Sequence, residues 1–146
     1  MSETAPQKSP TLKTYVGGCH CGAVRFEAEF DLAAPVNRCN CTVCTKMGGT
    51  TTSVPPSQFR VTKGESETGE YRVGDSPNYR RFCKHCGVQC YGGGFVEEMG
   101  GHFRSINLGC LDGVDVSKLT VQYWDGRYNN WQAGPSNQPF PLRATA

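Results

Sequence analysis

Nine cysteines stand among 146 residues, and seven of them fall into three tight clusters. Cys19 and Cys21 form C-x-C, Cys39, Cys41 and Cys44 form C-x-C-x-x-C, and Cys83 and Cys86 form C-x-x-C. Zinc favours thiolate sulfur in a tetrahedron with bonds of about 2.3 Å, and two knuckles from distant parts of a chain can supply four such ligands. Cys19, Cys21, Cys83 and Cys86 make a matched set of this kind. Gly18, Gly22 and Gly87 beside them let the backbone approach a metal and turn N–H groups towards sulfur. The competing explanation is free, buried cysteine, a common core residue. Two matched knuckles favour metal.

The middle cluster carries different chemistry. Cys39, Cys41 and Cys44 lie within six residues and can all reach one ion, which leaves a fourth position unfilled. Three protein ligands and one exchangeable one is the arrangement of a catalytic zinc. Cys90 or Cys110 closing the tetrahedron is the alternative, and it would make the site structural. An open zinc favours an incoming soft thiolate, lowers its pKa and fixes its position. That is chemistry for handling a thiol.

The elements that must position these cysteines are short. Leu, Ile, Val and Phe make up under a fifth of the chain, a thin supply for a core, so disulfides or metal should help to hold the fold. The N-terminal segment Met1–Leu12 has no apolar run of the kind a signal peptide needs, and an odd cysteine count with close C-x-C pairs suits no disulfide framework. The expectation is a reduced, cytoplasmic protein with two Zn²⁺ per chain. Seven thiolates and two such ions take the formal charge of +2 to about −1, which gives no electrostatic reason to expect nucleic acid or membrane binding. No stretch approaches the roughly 18 apolar residues of a transmembrane helix.

Residues 1–12 read as a disordered tail, residues 13–132 as one zinc-binding domain, and residues 133–146 as an irregular C-terminal tail. Ala23–Glu29 alternates, with Val24, Phe26 and Ala28 on one face and Arg25, Glu27 and Glu29 on the other, which predicts a half-buried strand. Val36–Cys39 leads into the middle cluster, which can start a single helical turn. Thr50–Val54 is β-rich. Phe59–Thr62 and Glu70–Val73 flank a polar turn through Gly64 and predict a hairpin. Tyr79–Cys83 feeds the last knuckle, followed by Val88–Tyr91 and the run Gly92–Gly94. His102–Leu108 and Thr120–Trp124 predict the final strands. Short strands with Gly and Pro between them indicate an all-β domain.

Four segments together resemble a known family: Gly17-Gly18-Cys19-His20-Cys21-Gly22-Ala23-Val24-Arg25-Phe26, Cys39-Asn40-Cys41-Thr42-Val43-Cys44, Phe82-Cys83-Lys84-His85-Cys86-Gly87 and Asn107-Leu108-Gly109-Cys110-Leu111-Asp112. In their order and spacing they are similar to the glutathione-dependent formaldehyde-activating enzymes, a family that includes centromere-protein-V-like proteins. The resemblance implies an Mss4-like all-β fold of small antiparallel sheets. It implies a structural zinc on Cys19, Cys21, Cys83 and Cys86, and a second zinc on Cys39, Cys41 and Cys44 whose open position takes the substrate thiol. The activity it implies is a carbon–sulfur lyase or synthase step joining glutathione and formaldehyde as S-(hydroxymethyl)glutathione. The alternative is a non-catalytic zinc module for a protein partner, or a thiol carrier.

Around the second cluster, Thr42, Thr45, Lys46 and Gly48 are the expected glutathione-binding residues, Lys46 through a carboxylate. His20 and His85 lie inside the knuckles and read as solvent-side groups. His102 as a proton shuttle is the weaker reading of that residue. Trp124, Tyr128 and Trp131 either wall a pocket or pack the core, and Arg80-Arg81 is too short for a nucleic-acid patch. A redox role for Cys83 and Cys86 lacks the βαβ context that such a motif needs.

Overall fold

The computed structural model describes residues 12–143. The expected tail at 1–12 therefore lies outside the described residues except for Leu12, as do residues 144–146 of the expected C-terminal tail. Ten strands, one short helix and several single 3-10 turns make up the described residues, so the all-β expectation holds. A three-stranded antiparallel sheet has β1 (Lys13–Gly18) and β5 (Phe59–Lys63) on either side of β2 (Arg25–Phe30). The second sheet has seven strands. It contains β3 (Val36–Cys39), β4 (Thr51–Val54), β6 (Thr68–Arg72), β7 (Tyr79–Cys83), β8 (Gln89–Val96), β9 (Gly101–Asn107) and β10 (Val121–Trp124), in the order β10-β3-β4-β9-β8-β7-β6. Only the pair β10 and β3 is parallel.

Strand β2 shows why the sheets pack. Its residues alternate between buried and half-buried, with Phe26, Ala28 and Phe30 turned inward, as a period of two requires. Phe26 is 1% exposed. Its ring lies 5.6 Å from Phe59 in its own sheet and 6.2 Å from Tyr91 in the other. Ile106, Leu108, Val36 and Val54 complete the interior.

One expectation needs correction. Phe59–Thr62 and Glu70–Val73 do not form a hairpin. β5 pairs with β2 in the small sheet, and β6 pairs with β7 in the large one. Apolar Phe59 and Val61 pack against the core cluster, and Gly64 turns the chain between sheets in the left-handed conformation, φ 76°. The run Gly92–Gly94, which the sequence leaves unassigned, lies in the middle of β8. A Cβ on Gly92 would lie 2.3 Å from the Tyr79 carbonyl oxygen, so the bare backbone is what lets β7 and β8 approach there. Strand β1 has no counterpart among the predicted strands. Within the expected irregular tail, Ser136 pairs with Tyr123 through reciprocal backbone bonds of 2.8 and 2.9 Å.

Because Phe26 joins both sheets, Phe26→Ala should cost about 3–5 kcal/mol of stability, read from the midpoint and slope of urea unfolding. A loss below about 1 kcal/mol would mean that the two sheets do not depend on this contact.

Candidate metal centre

The knuckle residues Cys19 and Cys21 sit in the turn between β1 and β2, while Cys83 ends β7 and Cys86 lies in the turn between β7 and β8. The two turns belong to different sheets, yet all four sulfurs lie within 4.8 Å of one another. Cys21 Sγ is 3.7 Å from both Cys19 Sγ and Cys83 Sγ. A tetrahedron with metal–sulfur bonds of about 2.3 Å has edges of about 3.8 Å, whereas a disulfide needs about 2.05 Å. Backbone N–H groups already point at sulfur: Val24 donates to Cys19 and His85 to Cys83, each at 3.3 Å. Donation from the Val88 backbone, and then from Cys21, holds the Cys86 thiol down at about 6. These donors favour thiolate, the form a metal takes.

The second cluster is built by one loop. β3 ends at Cys39, and α1 (Thr42–Met47) starts just after Cys41. Cys41 is the N-cap, its sulfur accepting the Cys44 N–H at 3.3 Å, so the C-x-x-C spacing is also a helix-capping spacing. Cys41 N–H donates to Cys39 Sγ at 3.4 Å. The three sulfurs lie within 4.8 Å, and among the described residues no fourth His, Cys, Asp or Glu atom joins them. Donation by the Cys39 and Cys44 thiols, helped by the Cys44 N–H and the Arg80 charge, lowers Cys41 to about 2. Cys39 and then Cys41 push Cys44 far up.

Cys90 and Cys110 do not close this site. Their sulfurs donate to the Val88 and Gln89 carbonyls, and the hydrogen bond with Cys110, followed by burial, pushes the Cys90 thiol up. Both feel the charges of the first cluster, Cys90 through Cys19 and Cys83, Cys110 through Cys19 and Cys86.

The chain beyond β10 clamps the loop. Trp124 stands beside Cys39 in the parallel pair, and the next residues fold back over it. Asn40 Nδ2 donates to Asp125 Oδ1 at 2.7 Å, while Asn40 Oδ1 accepts the Arg127 N–H at 2.9 Å. Arg127 Nε donates to the Asn40 carbonyl at 2.8 Å. Asp125 is only 4% exposed. Donation by Asn40 first, then by Asn130 and the Arg143 charge, outweighs burial and holds its carboxyl below the usual range. A lowered acid stabilises fully above its unfolded pKa of about 3.9 and loses that contribution as pH falls through its folded value.

Gly126 lies at the closest approach. A Cβ there would be 2.5 Å from Cys39 Sγ and 2.7 Å from the Trp131 ring. Trp131 therefore stands against the Cys39 side of the triad, half exposed, rather than in the core.

On the Cys44 side lies a cavity of about 680 Å³, walled by Met47, Tyr71, Tyr79, Phe82 and Phe103 together with Arg80, Gln89, Ser105 and Asn107. Thr42, Thr45, Lys46 and Gly48 are exposed and none is on this wall. Thr45 instead donates to the Asn40 carbonyl at 3.1 Å, and Gly48 accepts from Arg38 at 2.9 Å. Sequence reasoning missed Asn40, Asp125, Gly126, Arg127 and Arg80. Their roles depend on the return of the chain and on strand facing, which cysteine spacing does not encode. His102 stands 4.9 Å from Phe95 and is not on the cavity wall. His85 pairs with Glu67 at 2.7 Å on the surface, and His20 is exposed.

A small all-β domain that carries, among the described residues, two clusters of cysteines able to hold a metal ion, one of four sulfurs and one of three, is the class that this fold and site define. Residues 14–127 match the family described as glutathione-dependent formaldehyde-activating enzyme. A protein of Halomonas elongata, named provisionally for glutathione-dependent formaldehyde activation, is 36% identical over 78 residues, which are 48% of this chain and 50% of that protein. The chain thus spans about half the length of that curated relative. A solved Rhodobacter sphaeroides protein matches with a TM-score of 0.65 and 28% identity, over 75% of this chain and 98% of that one. The chain belongs to the glutathione-dependent formaldehyde-activating enzyme family.

Gly126→Ala should strip metal from the triad while the four-sulfur cluster keeps its own. Metal per chain should fall by one equivalent, with the far-ultraviolet circular dichroism unchanged. Full metal content in that variant would show that the loop has room to move.

Proposed function

We propose that the chain is a zinc-dependent carbon–sulfur lyase or synthase acting on a glutathione–aldehyde adduct, joining glutathione and formaldehyde to S-(hydroxymethyl)glutathione or reversing that step. The observation that carries the reading is the three-sulfur cluster with no fourth protein ligand among the described residues, reached from a cavity that Cys44 itself lines. The donor set fits zinc: soft sulfurs, tight spacing and N–H groups directed at them. A bound zinc ion would supply acidification and orientation of an incoming thiol. Cys39, Cys41 and Cys44 would hold that ion, and Asn40 and Asp125 would keep their loop in place.

In the forward direction the substrate sulfur attacks the aldehyde carbon. A carbon–sulfur bond forms, the carbonyl π pair moves to oxygen, and that oxygen takes up the proton that the thiol gives up. The chain's part is to place the two reactants and to wall them with Tyr71, Tyr79, Phe82 and Phe103, which limits solvent on that side. Cys19, Cys21, Cys83 and Cys86 would hold a second zinc whose role is folding.

Mass spectrometry of protein purified without chelator should find two zinc ions per chain. Cys41→Ser should then abolish glutathione binding by calorimetry with the fold retained, whereas Cys83→Ser should unfold the domain. Glutathione binding as tight in Cys41→Ser as in wild type would remove the proposed site. Binding without any acceleration of adduct formation would instead make the protein a thiol carrier.

A further inference from the structure

Arg80 is the one Lys, Arg, Asp or Glu among the residues that wall the cavity. Its Nη2 lies 3.8 Å from Cys44 Sγ, and among the described residues that sulfur is its one side-chain partner. The other arginines are engaged differently. Arg25, Arg60, Arg72, Arg81 and Arg143 pair with carboxylates, and Arg38, Arg104 and Arg127 donate to backbone carbonyls. A guanidinium offers five N–H donors in a flat fork, so among the described residues most of the Arg80 fork has no acceptor. An arginine is the side chain that best matches a carboxylate in two-point contact. Neighbouring Tyr71, Tyr79, Phe82 and Phe103 lower the local dielectric and strengthen such a pair.

We propose that Arg80 is the specificity-determining residue of the site, pairing with a carboxylate carried a short chain away from the substrate's sulfur, so that the cavity selects anionic thiols. This rests on the reading of the triad as a thiol-binding zinc site. Lys46 is exposed and off the wall, so this proposed role falls to Arg80. The alternative is that Arg80 only offsets the charge of the cluster, and it makes a different prediction: every thiol would then lose affinity alike when Arg80 is replaced.

The test uses the zinc-loaded full chain and two probes that differ at the carboxylate, 3-mercaptopropionate and its methyl ester, titrated by calorimetry. A charge-assisted pair of this kind should give wild type about a ten- to hundred-fold preference for the acid. Arg80→Gln should reduce that ratio to about one, the acid losing more affinity than the ester. Arg80→Lys, which keeps the charge without the fork, should restore part of it. An equal affinity for acid and ester in wild type would overturn the proposal, as would a preference that survives in Arg80→Gln or an equal loss of both probes in that variant. Failure of wild type to bind either probe, or glutathione, would overturn the thiol-site reading along with it.

Discussion

Four sulfurs from two separate sheets must share a volume less than 5 Å across, and the rest of the structure is arranged around that requirement. Cys19 and Cys21 belong to the hairpin of the small sheet, Cys83 and Cys86 to a hairpin of the large one. Apolar contact between the sheets is limited to a short list led by Phe26, Tyr91, Ile106 and Leu108. A chain so poor in large aliphatics cannot rely on burial alone. Zinc held by four thiolates adds about 10–16 kcal/mol in small domains, comparable with the whole stability of a typical one. With the ion bound as proposed, the sulfur cluster acts as a cross-link where the core is thinnest, and its loss should be felt by both sheets.

The second cluster is relieved of that duty. Its three sulfurs come from one loop and its capped helix, and what steadies them is polar: Asn40, Asp125 and Arg127 bonded to each other and to the loop backbone. No other sheet has to arrive for those sulfurs to meet. The division explains how a site can remain one ligand short, since a position left to an exchangeable group costs the fold little. It also explains why Cys90 and Cys110 sit by the first cluster, where two more sulfurs serve packing rather than completing an open site.

Where local pattern carries the information, the sequence reports the structure well. The three cysteine clusters, the inward face of Phe26 and Ala28, and the helical turn after Cys41 all follow from spacing within a few residues. What it does not reveal depends on partners distant in the chain. Phe59–Thr62 has the right pattern for a strand but no signal for which sheet receives it, and a polar turn that suits a hairpin equally suits a crossing between sheets. The glycines of β8 go unassigned because the reason for them, close approach of Tyr79, lies on another strand. Gly126 is silent for the same reason. Arg80 and Arg81 read as an undistinguished pair until strand facing separates them: Arg81 turns to Glu70, while Arg80 and Phe82, two residues apart, both reach the cavity.

Charge explains why that one arginine matters. Three thiolates on a doubly charged ion leave a net charge of about −1, and a fourth thiolate brings it to about −2. In the four-sulfur cluster that excess is met by N–H groups from Val24 and His85 and by the nearby Arg25 guanidinium. In the open site the loop supplies N–H groups to Cys39 and Cys41, but the sulfur facing the cavity, Cys44, receives Arg80 instead. A mobile lysine ammonium would be more strongly hydrated and would hold one geometry less well. A half-buried guanidinium on a strand is fixed, so it can meet the cluster's charge at one edge and still present donors to whatever enters. An entering group that brings its own carboxylate adds to the negative charge that would otherwise oppose it, and Arg80 is the one cationic residue on the cavity wall placed to reverse that penalty.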